Sequence, residues 1–270
     1  VAYVSMHGEQ RFLPPIVEAL RTTALSKIDQ TMIDELALRL YPTASAQTRN
    51  RQVYTPVSAV LKHAKIEWEL KRPKGWRGSS RTTWLKPNEA FAAIRAAKKA
   101  DAEFGIFLTL LCYTGLRLSE ALGLRCEAIE LQDGFAYVPQ TKNEDPRAVF
   151  LPPAVVAALA GHPKGMDRKG RVFRFRKNGR LYALLRATEK ASRQKLTFHL
   201  FRHTWATWMR RYGGLDIDGL MATKAWKDPA SARRYTHVVV SEESRKAALL
   251  PIDNGGLDVN IKRKTKRNAA

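Results

Sequence analysis

The stretch KRPKGWRGSSRTTWLKP, residues 71–87, constrains this chain more than any other segment. It holds two prolines, two glycines and six basic residues with no acid, a composition that neither extends a helix nor fills a strand. It therefore reads as a boundary between two folding units. Length agrees, because 270 residues at ~150 per domain leave room for two. We place a helical domain over 1–78, a basic linker over 79–86 and a second domain with a C-terminal tail over 87–270. The chain begins at Val1 rather than Met, which leaves room for sequence before it.

On the N-terminal side, residues 16–70 carry helical periodicity. Ile28, Met32, Ile33, Leu36 and Leu40 recur mostly three or four apart, as do Val53, Val57, Val60 and Leu61. Ser45 or Thr48 is placed to cap the later helix. Beyond the boundary two helices are expected over 88–113, and a third from about Leu118. The pattern then switches to short strands, EAIEL, FAYVPQ and RAVFLP, separated by a QDG turn and the loop TKNEDP. Helices resume at PPAVVAALA and continue to about Ala248. The expected fold class is mostly α with one small three-stranded antiparallel sheet.

Charge narrows the function. Lys and Arg total 47 against 25 Asp and Glu, a net +22, which favours a polyanionic partner. The longest apolar run, 104–113, is half the ~20 residues of a spanning helix, and the N-terminus has no signal-peptide pattern. The membrane drops out and nucleic acid remains. Cys112 and Cys126 sit in no CxxC or Cys/His cluster, which fits a reducing compartment without a structural zinc site. Candidate phosphate contacts in the first domain and linker are Arg49, Arg51, Lys62, Lys65, Lys71, Arg72, Lys74, Arg77 and Arg81. Arg174, Arg176 and Lys177 form a further basic run in the second domain.

Four clusters in the second domain carry chemistry. TGLRLSEALGL (114–124) places Arg117 and Glu120 three apart, and TKNEDP holds Lys142 between two strands. HLFRHTWAT (199–207) places His199 and Arg202 three apart, and AWKDPASARRYTHV (225–238) brings Trp226 and Tyr235 near a helix end. Singly each has an ordinary explanation. A helical Arg–Glu pair is most often a salt bridge, a hairpin lysine is usually solvated, and a lone Trp or His is usually structural.

In this order, on a chain of +22, they resemble the tyrosine recombinase family of the phage integrase type. TGLRLSEALGL is similar to its first arginine box, HLFRHTWAT to its HxLRH box, AWKDPASARRYTHV to the box ending in the nucleophile, and TKNEDPRAVFLP to its lysine-bearing hairpin. The resemblance covers 88–240, and the layout of 16–70 resembles the family's helical core-binding domain. Two departures stand out: Phe201 replaces the usual Leu, and Trp226 replaces the usual second His. The resemblance implies DNA strand cleavage and rejoining through a 3′-phosphotyrosyl link at Tyr235. It also implies double-stranded attachment or crossover sites as substrate and a homo-tetramer on two sites, formed through dimers. Accessory DNA-bending proteins and a cytoplasmic, nucleoid-associated setting are further expectations, with no cofactor.

These residue types suit that reaction. Phosphoryl transfer needs positioning and charge neutralisation on the nonbridging oxygens, and the arginine fork supplies both. Arg117 and Arg202 are placed there, and no metal is required. A phenol of pKa ~10 needs a base or cationic neighbours; His199 is the candidate. Lys142 is the candidate acid for the leaving 5′ oxygen. Trp226 packs the site or donates to the phosphate, and Glu120 orients a cation. A type IB topoisomerase and a non-catalytic DNA-binding protein on the same fold are the alternatives.

Overall fold

The computed structural model describes residues 2–7, 11–24, 27–78, 83–139, 146–226 and 228–238. Contacts divide the chain into two compact units, Val1–Arg81 and Thr82–Ala270.

The first unit is helical: α1 (Ala2–His7), α2 (Leu13–Leu20), α3 (Gln30–Leu40), α4 (Ala46–Arg49) and α5 (Thr55–His63), with a π-helical turn, Asn50–Tyr54, joining the last two. Asp29 and Ser45 cap α3 and α4, accepting from the Met32 and Thr48 amides that would otherwise be orphaned. The apolar period closes a core of Ile16, Ile33, Leu36, Val53, Val57 and Leu61. Tyr54 is buried in the π turn and donates to Asp34 at 2.6 Å. The Gln30 side chain accepts from the Lys71 amide at 2.9 Å and donates to its carbonyl at 3.3 Å. The start of the basic stretch is thus tied to this unit.

The second unit contains α6 (Pro87–Ala100), α7 (Ala102–Thr114), α8 (Leu118–Gly123), α9 (Pro153–Ala160), α10 (Gly179–Ser192), α11 (Phe198–Arg211), α12 (Ile217–Ala222) and α13 (Pro229–Ala232), then a 3₁₀ turn, Arg233–Val238. Helix α7 is apolar on nearly every face, as a central helix must be. It packs against α6, α9 and α11. Phe104 and Phe107 meet Phe175 and Phe198 edge-on, the preferred geometry for aromatic pairs. Between α8 and α9 lie β1 (Ile129–Glu130), β2 (Phe135–Val138) and β3 (Arg147–Phe150), an antiparallel meander in the order β1-β2-β3. Ala136 pairs with Val149 and Val138 with Arg147. Ala136 and Val138 face inward, the period-2 alternation expected of a sheet with one buried face.

The mostly α fold with one three-stranded meander is therefore the fold of this chain. Leu85, which the composition assigns to the linker, is buried in the second unit's core. Its amide donates to Thr204 Oγ1 at 2.9 Å and its carbonyl accepts from Trp208 Nε1 at 3.0 Å. Arg81 and the basic tail at 262–267 lie outside the described residues. Cys112 and Cys126 are buried free thiols. Among the described residues no helix is long and apolar enough to cross a membrane.

Candidate active site

Helix α7 sets up the site where it ends. Gly115 terminates it at φ +62°, and a Cβ there would come within 2.1 Å of the Trp205 ring. Only glycine satisfies both the left-handed backbone and that approach. The chain turns there into α8, with Arg117 as N-cap in extended backbone. The Arg117 amide donates to Glu120 at 2.8 Å, and its guanidinium lies 3.3 Å from the same carboxylate. Arg147, at the start of β3, reaches the same carboxylate at 2.8 Å and is only 5% exposed. Burial alone would raise the Glu120 carboxyl, but the Arg117 amide and the two guanidinium groups hold it below the usual carboxylate range. One carboxylate thus joins a strand arginine to an arginine whose side chain is 37% exposed.

Helix α11 carries the second cluster. Thr197 caps it by accepting from the Leu200 amide at 3.1 Å. One turn places His199 and Arg202 on neighbouring faces and His203 a turn beyond His199. Arg202 is 2% exposed. Its guanidinium donates to the carbonyls of Gly115 and Ala225 and lies 4.6 Å above the Trp226 ring. It fastens α11 to the end of α7 and to the loop before Trp226. Trp226 is buried, stacks on Trp205 at 5.8 Å and contacts Tyr235 at 5.5 Å.

Arg117, Lys177, His199 and Arg202 line one cleft of about 400 Å³, together with Ser119 and Thr197. Partial desolvation, then the charges of Arg202, Arg117 and Arg234, hold the His199 imidazole below its ordinary value. The cleft therefore presents fixed cations and a neutral ring, the environment a phosphodiester anion needs.

Tyr235 lies in the 3₁₀ turn after α13 and is 2% exposed. Arg210 on α11 holds that turn by donating to the Tyr235 carbonyl at 3.3 Å. The phenol hydroxyl meets His203 Nδ1 at 2.6 Å. Burial pushes the Tyr235 phenol up to about 12, against the opposing pull of Arg202 and Arg234. Burial, then His199, Arg234 and Arg202, push His203 down to about 4. Both groups are neutral at pH 7, so the phenol donates and Nδ1 accepts.

The structure thus gathers Arg117, Glu120, His199, Arg202, Trp226 and Tyr235 around the ends of α7 and α11. Lys142 lies outside the described residues. Two residues that sequence reasoning passed over belong to the set, Arg147 and His203. A lone arginine in the apolar strand RAVFLP marked the first, and its place four residues after His199 marked the second. The basic candidates divide. Arg49 donates to the Tyr41 and Pro42 carbonyls, and Arg72 to Asn50. Arg174 is paired with Asp101 and Glu103. Arg51, Lys62, Lys65, Lys71, Lys74, Arg77, Arg176 and Lys177 are exposed. Among the described residues no group of His, Cys, Asp and Glu is gathered to hold a metal.

Comparison with known proteins points the same way. The family model described as "Phage integrase family" matches residues 83–242. The shufflon-specific DNA recombinase of Escherichia coli is 27% identical over 191 residues, 67% of this chain and 49% of that protein. The tyrosine recombinase XerA of Saccharolobus solfataricus is 30% identical over 137 residues, 51% of this chain and 46% of that protein. The chain spans about half the length of the curated relatives it matches. Among solved structures, the Tn1549 transposon integrase in complex with transposon right end DNA aligns with a TM-score of 0.68 at 16% identity. That alignment covers 92% of this chain and 96% of the other. XerH bound to palindromic difH substrate aligns with a TM-score of 0.68 at 16% identity, covering 88% and 78%. At such identity these two structures speak to the fold.

Proposed function

The chain belongs to the phage integrase family, and on that premise we propose that it is a site-specific recombinase. It cleaves and rejoins DNA strands through a 3′-phosphotyrosyl intermediate at Tyr235. The observation that carries this reading is the convergence of Arg117 and Arg202 on one cleft, with the Tyr235 hydroxyl hydrogen-bonded to His203, the residue after Arg202 on α11. The arginines bind the nonbridging oxygens and stabilise the charge that builds in the transition state. Glu120 and Arg147 fix the first arginine; two backbone carbonyls and the Trp226 face fix the second.

Tyr235 attacks phosphorus and the 5′ oxygen leaves with a proton, for which Lys142 is our assignment. The phosphotyrosyl bond retains the energy of the phosphodiester, so the 5′-hydroxyl of another strand reverses the attack. Exposed cations of the first unit, among them Arg51, Lys62, Lys65, Lys71, Lys74 and Arg77, track the phosphate backbone, which neutralisation of phosphates favours. The natural substrate is a pair of double-stranded crossover or attachment sites held by a homo-tetramer. Accessory bending proteins and a nucleoid setting complete the proposal.

A nicked suicide substrate, from which the cut fragment diffuses away, tests it. The wild-type protein is expected to accumulate a covalent DNA adduct stable to denaturant. No adduct on any substrate would leave a DNA-binding protein on the recombinase fold, and site-independent supercoil relaxation would point to a topoisomerase.

A further inference from the structure

The residue type that accepts the nucleophile's proton was expected to be His199, yet the Tyr235 hydroxyl makes its hydrogen bond to His203. The 2.6 Å separation between that hydroxyl and Nδ1 is within the reach a general base requires. His199 is exposed and lines the cleft, while its ring meets His203 edge-on at 4.4 Å. His203 thus touches both His199 and the buried phenol. We propose that His203, rather than His199, is the general base that takes the Tyr235 proton as the phenol attacks the phosphodiester. The assignment rests on the recombinase reading above.

The step balances. The phenolic proton passes to His203 Nδ1 as the Tyr235 oxygen bonds to phosphorus; the bond from phosphorus to the 5′ oxygen breaks, and that oxygen takes a proton from the acid. On religation the imidazolium returns its proton to the departing phenolic oxygen. His203 must be neutral at the start, with Nδ1 bare and the proton on Nε2, which the phenol's donated hydrogen bond requires. The groups facing it are His199 and Arg202 on its own helix, and Arg234 and Tyr235 from the 3₁₀ turn. The cations and burial keep the resting ring neutral. A phosphodiester bound in the cleft that His199 lines brings a negative charge close to His203 and raises the ring's proton affinity when it is needed.

A merely structural histidine would behave differently on three readouts. His203→Asn leaves an amide near the Nδ1 position that can hold the hydroxyl but cannot take its proton. On the suicide substrate, adduct formation by this variant is expected to fall by ~10²–10⁴ with DNA affinity within about threefold. Its rate should climb steadily with pH, as ionised phenol does the work, where the wild type levels off. Fluorotyrosine placed at position 235 by stop-codon suppression should restore most of the rate, because a more acidic phenol needs less help. The same replacement should not rescue Arg117→Ala.

Three results would overturn the assignment. One is a His203→Asn rate within about threefold of wild type. Another is failure of fluorotyrosine to rescue it. The last is rescue of His199→Asn instead, which would return the role to His199. The wild-type lane separates this failure from that of the recombinase reading, since only the latter leaves it without adduct. In the DNA-free protein, nitrogen-resolved imidazole spectra should show the Nε2–H tautomer at His203, with its Nδ1 resonance displaced by Tyr235→Phe. An unchanged resonance would remove the contact on which the assignment stands.

Discussion

In the first unit Lys62, Lys65, Lys71, Lys74 and Arg77 reach into solvent from α5 and the segment after it, whereas in the second unit Arg147 and Arg202 are buried among named partners. On the proposed function, chemistry accounts for the contrast. A backbone phosphate met along a duplex needs a charge within a few ångströms, and a mobile lysine provides it. A phosphate about to be attacked must be held in one orientation, and burial with fixed hydrogen bonds provides that. Side-chain freedom helps in one region and is removed in the other.

The sharpest way to break this contrast is to keep the charge and remove the geometry. Arg202→Lys retains a cation but cannot bridge the Gly115 and Ala225 carbonyls and lie flat on Trp226. Single-turnover cleavage should fall by ~10² or more, above ~2.7 kcal/mol of barrier. A loss below tenfold would mean that Arg202 contributes charge alone.

A smaller effect is expected at the buried pair. Arg147→Met leaves the Glu120 carboxylate buried with Arg117 as its remaining guanidinium partner, so the loss of stability stays below the about 3 kcal/mol of a buried charge left with no partner. Urea unfolding of this variant should show that loss, and Glu120→Gln in the same chain should recover part of it. Equal losses for the single and double variants would mean that the pair is not coupled.

The smallest effects belong to the first unit. Each Lys→Gln change at Lys62, Lys65, Lys71 or Lys74 should lower the log–log salt slope of DNA binding by about 0.9. Cleavage at saturating protein should change less than affinity does. Salt titrations that leave the slope unmoved would take these residues off the phosphate path.

Much of the fold was legible because its signals are local. Ser45 precedes a helix and caps it; the alternation in FAYV and the QDG turn mark the meander. The π turn at Asn50–Tyr54 left no comparable mark, because a single added residue barely disturbs an apolar period. Arg49 sits in a run of cations, yet folding turns it onto the carbonyls that end α3. The site was legible as boxes and less so as contacts. Which arginine Glu120 would meet from a strand 27 residues away, and which histidine would meet Tyr235 from 32 away, depend on how α8, β3, α11 and the 3₁₀ turn pack. Sequence spacing does not contain that information.

The central claim is that Tyr235 forms the covalent bond to DNA. The direct measurement is mass spectrometry of the trapped adduct after nuclease and trypsin digestion. The account predicts the residual nucleotide on the tryptic peptide 235–245, and no adduct from Tyr235→Phe despite unchanged DNA affinity. A nucleotide found on Tyr182 or Tyr137, or an adduct that persists in the Phe variant, would contradict it.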